Sequence, residues 1–300
     1  MNAILEKALA RAQEGDPAAL GGFGFERHTL KGPGIPGDGN EWEERMTLTG
    51  DGALRLRTNR SIGDMGSEPI GEYRRQAERE VVRRIIQLVR ETPWGELPRF
   101  RIEPADTRIR ISVAAAGMVQ EVAIGFRDPT AILPVKPLLQ ELDRMAASLR
   151  ADPVRTLAIA LEMPRTARAA KIRLPVTLRF RNSGPEGYWL THPGALGRVH
   201  RWEQCGLIYG REPERVPGFT PPPIEQQGAP LEPGEDPRDL MWVAGGSELS
   251  QRFSCLLEPA RGGRYLARAV YSTYQGEDHV TGRPRLRGCV FSNQVEIEIE

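Results

Sequence analysis

The stretch 263-GRYLARAVYS-272 decides how the second half of this chain is read. Tyr265, Ala267, Ala269 and Tyr271 fall on one side and Leu266, Arg268 and Val270 on the other. That period of two belongs to a β-strand with one face on a core. The same alternation runs through 172-IRLPVTLRFRN-182, where Val176, Leu178 and Phe180 form an inward row. It returns in 289-CVFSNQVEIEIE-300, where Val295, Ile297 and Ile299 point one way and Glu296, Glu298 and Glu300 the other. Between these lie TLAIALEM (156–163), GYWLT (187–191), CGLIYG (205–210), DLMWVA (239–244) and SQRFSCLLEP (250–259). No helical stripe is found after Val154, so 151–300 reads as an all-β sandwich of short strands separated by turns. Cys255 shares a face with Phe253 and Leu257 and reads as a small core residue.

The first half has another rhythm. Residues 1–14 read as a short amphipathic helix with Ile4, Leu5, Ala8, Leu9 and Ala12 on its buried face, ended by Gly15. GDPAALGG (15–22) follows as a polar turn. FGFERHT (23–29), EWEERMTLT (41–49) and ALRLRTN (53–59) alternate as strands. A helix is expected from Glu72 to Thr92, with Tyr73, Ala77, Val81, Ile85, Leu88 and Val89 on its apolar stripe. Two strands, TRIRISVAA (107–115) and MVQEVAIGF (118–126), turn near Gly117. A second helix carries Leu138, Leu142, Met145 and Leu149. Three strands, a helix, two strands and a helix is an α+β order: one antiparallel sheet with both helices on one face, over 15–150.

LEPARGGRYLARAVYSTYQ (257–275) followed by VFSNQVEIEIE (290–300) resembles the closing strands of bacterial immunoglobulin-like domains, and LPVTLRFRNSG (174–184) resembles their early strand and asparagine-bearing turn. A related sandwich occurs in an intracellular bacterial proteinase-inhibitor family. The resemblance covers about 170–300 and implies an immunoglobulin-like sandwich, with Tyr265 anchoring a corner through its hydroxyl. A fold carries function weakly. Inhibition or regulation of a partner enzyme such as a protease is therefore one alternative reading of the chain.

Composition narrows the classes. With 39% hydrophobic and 27% charged residues the chain is globular rather than disordered. Forty-one basic residues against forty acidic ones leave a net charge of +1, which gives no global field for nucleic acid or an anionic membrane. No apolar run reaches membrane-helix length, and the N-terminus is not a secretory signal, so a cytoplasmic location is expected. Cys205, Cys255 and Cys289 are few, odd in number and far apart, which argues against a disulfide scaffold. His192, His200 and Cys205 share one stretch, but without paired ligand spacing no metal site is expected there.

Catalytic signatures are also missing. In TLKGPGIPGDGNEWEER (29–45) the lysine precedes the glycines, Pro33 and Pro36 have no amide hydrogen to donate, and a strand follows. This is a hairpin tip rather than a phosphate cradle, and no cofactor is expected. There is no Gly-x-Ser-x-Gly elbow, and carboxylate pairs such as Glu43–Glu44 and Glu235–Asp236 lie in polar segments. A hydrolase or nucleotide-binding enzyme would need a site assembled from dispersed residues. The arginines of 72–92 share their helix with Glu72, Glu78, Glu80 and Glu91, as a solvated face does.

The proline-rich insertion at 211–237 is least explained by folding. Its prolines read as a stiff, extended, solvent-facing loop that contributes little to the core, either a binding element or an inert insertion. Pro221, Pro222 and Pro223, with Trp242 just beyond, are the candidate partner-binding residues. The sequence thus leads to a non-enzymatic, two-domain, protein-binding or adaptor protein whose partner is another protein, with no nucleic acid and no membrane involved.

Overall fold

The computed structural model describes residues 1–31, 42–60, 68–95, 97, 108–125, 133–168, 172–196, 204–211, 227–233, 240–259, 261–273, 286 and 288–300. The protein is mostly β, built of large antiparallel sheets with few helices. Among the described residues no helix is long and apolar enough to cross a membrane. The chain divides into two compact units, one of Met1–Asp64 and Gly71–Val154, the other of Met65–Ile70 and Arg155–Glu300.

In the first unit, helix α1 (Ala3–Glu14) starts at Asn2, whose side chain accepts from the Ile4 amide, and stops at Gly15. Gly15 has φ 94°, left-handed backbone that favours glycine. Leu5, Ala8, Leu9 and Ala12 are buried as expected, but Ile4 is 59% exposed, so the stripe is one residue narrower than the spacing suggested. Residues 15–22 are not simply a turn: Asp16 caps a one-turn helix, α2 (Pro17–Gly21), by accepting from the Ala18 and Ala19 amides. Pro17 is preset for the first helical position, which converts the turn into a helix.

Six strands follow: β1 (Gly24–Lys31), β2 (Trp42–Thr49), β3 (Ala53–Arg60), β4 (Ile70–Gln76), β5 (Arg108–Ala115) and β6 (Met118–Gly125). They pair antiparallel in the order β6-β5-β1-β2-β3-β4. Strand β1 pairs with β2 as far as Lys31↔Trp42; the proposed hairpin tip between them lies outside the described residues.

The helix expected over 72–92 is two elements. Residues 70–76 are strand β4, and the helix, α3, spans Arg79–Glu91. Tyr73 fits a helical stripe by spacing, but its segment lies in register with β3 from Ala53↔Gln76 to Thr58↔Gly71. Sheet pairing overrides local pattern here. The buried helical stripe is Val82, Ile85, Ile86, Leu88 and Val89, with Val81 half-buried.

Helix α4 (Lys136–Leu149) buries Leu138, Leu142, Met145 and Leu149 as read from the sequence. Its stripe joins those of α1 and α3 in one core with Phe25, Met46, Leu48, Leu56, Tyr73, Ile111 and Val113 from the sheet. At the edge of this core sits a buried charge cluster. Arg27, 2% exposed, pairs with Glu44 on β2 at 2.5 Å and with Asp143 on α4 at 2.6 Å. Arg150 also pairs with Glu44.

The second unit contains β7 (Pro153–Glu162), β8 (Thr166–Ala167), β9 (Ile172–Arg181), β10 (Tyr188–Thr191), β11 (Gln204–Arg211), β12 (Gln227–Pro233), β13 (Leu240–Val243), β14 (Glu248–Leu257), β15 (Gly263–Thr273), β16 (Gly288–Phe291) and β17 (Val295–Ile299). One set runs β7-β9-β14-β12, the other β12-β11-β15-β17-β8, with β16 also on β15 and β10–β13 a separate pair. Both sets contribute to one core: Leu178 and Phe180 of β9 and Cys255 of β14, together with Ala269 and Tyr271 of β15 and Ile297 of β17. Phe180 meets Tyr271 edge-to-face at 5.4 Å and 82°, a favoured aromatic geometry. The Tyr265 hydroxyl donates to the Arg261 carbonyl at 2.8 Å, the corner anchor expected of it.

Strand β12 corrects the reading of 211–237 as a loop with little role in the core. Ala229 and Leu231 are buried in the core, at 5% and 7% exposure. Gln227–Pro230 pair with β11, and Leu231–Pro233 with β14, so one strand joins both sets. Proline cannot donate to a ladder, but the change of partner between Pro230 and Leu231 interrupts the ladder at that point and tolerates it.

Candidate functional site

At one end of the second unit Asn182, 1% exposed, ties three segments together. Its Oδ1 accepts from the Thr156 and Gly184 amides, both at 3.0 Å. Its Nδ2 donates to the carbonyls of Glu186 at 2.8 Å and Ala244 at 3.2 Å. These bonds fix the chain entering β10 and leaving β13. Tyr188 is fully buried beside them and donates its hydroxyl to the Thr156 carbonyl at 2.7 Å. Burial pushes the Tyr188 phenol well above its usual pKa, so it stays a neutral donor.

Strands β10 and β13 pair in register from Tyr188↔Val243 to Thr191↔Leu240. Tyr188, Leu190, Met241 and Val243 face inward and are buried. The alternation turns Trp189 and Trp242 outward at directly opposed positions. Their rings lie 5.3 Å apart, tilted by 55°. Trp242 is 44% exposed and Trp189 half-buried. Gly187 makes room for this arrangement, since a Cβ there would stand 2.2 Å from the Trp242 ring. The result is an amphipathic aromatic ledge, held from beneath by a buried polar hub.

The hub's contribution is measurable. Asn182→Ala removes an acceptor for two amides and a donor for two carbonyls, and should cost the second unit about 3 kcal/mol in urea unfolding of the full chain. Asn182→Asp keeps the acceptor but turns a second carboxylate oxygen on the Glu186 and Ala244 carbonyls and buries a charge, so it should cost at least as much.

The other residues singled out from sequence fall elsewhere. Pro221, Pro222, Pro223, His200 and the Glu235–Asp236 pair lie outside the described residues. His192 is buried, and its Nδ1 accepts from the Gly194 amide at 3.1 Å, capping a short 3-10 turn. Cys205 lies on β11 opposite Tyr271, and burial pushes its thiol up. Burial does the same to Cys255, to about 11, so neither thiol is poised as a nucleophile at neutral pH. Among the described residues no group of three or more His, Cys, Asp and Glu could hold a metal ion. A cavity of about 290 Å³ in the first unit is lined by Pro17, Leu20, Gly50, Asp51, Ala77, Arg79 and Val82, among others. Hydrogen bonds from the Thr49 hydroxyl and the Ala53 amide hold the Asp51 carboxyl below its usual range, leaving it an ionised acceptor rather than a proton donor.

Trp189 was not singled out from the sequence. Its signal lay in the two four-residue runs YWLT and LMWV, each with a tryptophan between inward apolar residues.

No protein-family model matches the chain, and no curated protein matches it. Among solved structures it is similar to one described as "AvmM Catalyzes Macrocyclization in Alchivemycin A Biosynthesis", at 13% identity over 48% of this chain and 88% of that one, with a TM-score of 0.25.

Proposed function

We propose that this chain is a non-enzymatic protein-binding protein of the cytosol. In this reading an α+β domain is followed by an immunoglobulin-like sandwich, and a partner protein docks on the Trp189–Trp242 ledge. The sandwich reading is supported by the Tyr265 corner and by the two strand sets around one core. The cytosolic location is supported by three free cysteines.

The observation that carries the binding role is the ledge itself. Two opposed tryptophans are turned outward on a ladder whose other face is buried, and one end of the ladder is held where Asn182 donates to the Glu186 and Ala244 carbonyls. Exposed apolar surface on a rigid support marks interaction sites, and tryptophan is the residue most enriched where binding energy concentrates. The test is site-specific photo-crosslinking of the full chain in the source cell, with Trp242→benzoylphenylalanine. One discrete protein adduct is expected, absent when the photoreactive group replaces exposed Ile4 instead. Equal, diffuse labelling from both positions rules the ledge out.

A further inference from the structure

The outward face of the first unit's sheet carries an arrangement that folding does not favour. Arg45 on β2 stands directly opposite Arg57 on β3, and Arg55 on β3 stands directly opposite Arg74 on β4. Inward neighbours on the same strands, Met46, Leu56 and Tyr73, are buried, so all four arginines lie on the solvent side, three exposed and Arg57 half-buried. Like charges directly opposed across a ladder are destabilising. Here two such pairs are adjacent, Arg55 and Arg57 being two residues apart on one strand.

Local acids offset part of the block: Glu72 stands directly opposite Arg57, and Glu43 and Asp51 act on Arg57 and Arg55 at longer range. Arg45 pairs with Glu26 at 2.9 Å, and Arg74 approaches Glu72 at 3.8 Å. Arg55 and Arg57, at its centre, make no hydrogen bond and no ion pair within 4 Å among the described residues, so their guanidinium donors are not used up by these acids. Two planar guanidinium forks therefore stand available on a rigid sheet, spaced as alternate residues of an extended chain are, about 6–7 Å apart.

We infer that this face docks an acidic protein segment, with carboxylates of the partner seated on Arg55 and Arg57 and flanked by Arg45 and Arg74. The site is separate from the tryptophan ledge and does not depend on it. Charge complementarity selects the partner, and two features favour carboxylates over nucleic acid. Glu26, Glu43 and Glu72 are interspersed among the arginines, so the positive charge is broken into discrete forks rather than a continuous track for a phosphate backbone. The outward positions of β1 to β4 also carry no Phe, Tyr or Trp on which bases could stack.

The test uses the full chain and a fluorescent twelve-residue peptide of alternating Glu and Ser, which places its carboxylates on one face when extended. Binding is expected at low salt, weakening as salt rises. Arg55→Gln/Arg57→Gln should weaken it at least tenfold while the melting temperature holds or rises, because the opposed like charges are relieved. The charge-matched control Arg84→Gln/Arg144→Gln, on exposed positions of α3 and α4, should bind as the parent does. No peptide binding, equal loss in the control, or a melting temperature that falls in the Arg55/Arg57 variant overturns the inference. So does tighter binding of a single-stranded oligonucleotide of equal charge, which would assign the face to nucleic acid.

Discussion

Replacing residues 227–233 with a Gly/Ser segment of equal length should unfold the second unit of the otherwise intact chain. Strand β12 is the only strand, among the described residues, that pairs with both β11 and β14. Truncating Leu231 alone removes a core side chain, a loss that typically costs about 2–5 kcal/mol. The replacement also removes Ala229 from the core and loosens two ladders, at about 1 kcal/mol for each hydrogen bond lost. Together these losses approach the whole stability of an ordinary domain, about 5–15 kcal/mol. Near-ultraviolet circular dichroism should lose the signal of the packed aromatics, Tyr188, Tyr271 and Phe180 among them. An unchanged spectrum and melt would show that β12 is dispensable.

The second large effect concerns Arg27 and Glu44. Glu44→Leu leaves Arg27, 2% exposed, with the side chain of Asp143, which is itself 73% exposed, as its remaining ion-pair partner among the described residues. A buried charge left wholly unpaired costs about 3–5 kcal/mol, and the remaining contact with Asp143 should hold the loss to the lower end of that range. The double variant Arg27→Met/Glu44→Leu removes both buried charges and should recover most of that loss, since apolar replacement of a buried pair is often nearly neutral. Equilibrium urea unfolding of the two single variants and the double separates the cases. If the double variant is as damaged as the sum of the singles, the cluster is holding something beyond its own charge balance.

Much of the fold was legible because one buried face imposes a clean period. The strand at 172–181 and the α4 stripe each have apolar residues at regular spacing over two or more turns or pleats, and each forms where read. The segment 70–76 was not legible as a strand. Tyr73, Ala77 and Val81 satisfy helical spacing, and only the pairing of β4 with β3 decides between the two. Strand β12 was hidden for a different reason. Its prolines argue against a sheet by their missing amide hydrogens, while its partner change, visible only in three dimensions, supplies a place where one is tolerated.

The candidate site was half legible. Trp242 was singled out for its place beside the proline-rich stretch, but what makes it a ledge is Trp189, fifty-odd residues earlier and opposite it in the ladder. No local pattern links the two. Likewise the Asn182 hub joins residues from Thr156 to Ala244, and its side chain could be read from sequence only as part of a turn. The arginine block of the first unit shows the same limit. Each of its residues reads as an ordinary outward charge along its own strand, and the opposed pairs exist only across strands.

The most direct measurement of the binding role is quantitative affinity capture from the source cell, comparing the full chain with Trp189→Ala/Trp242→Ala. Each tryptophan at such a site is worth about 2 kcal/mol, roughly thirty-fold in affinity. The account predicts at least one protein retained by the parent chain and lost from the variant, while both chains keep the same cooperative melt to within about 1 kcal/mol because the substituted side chains face outward. An identical set of captured proteins from parent and variant, with both folded, would contradict it.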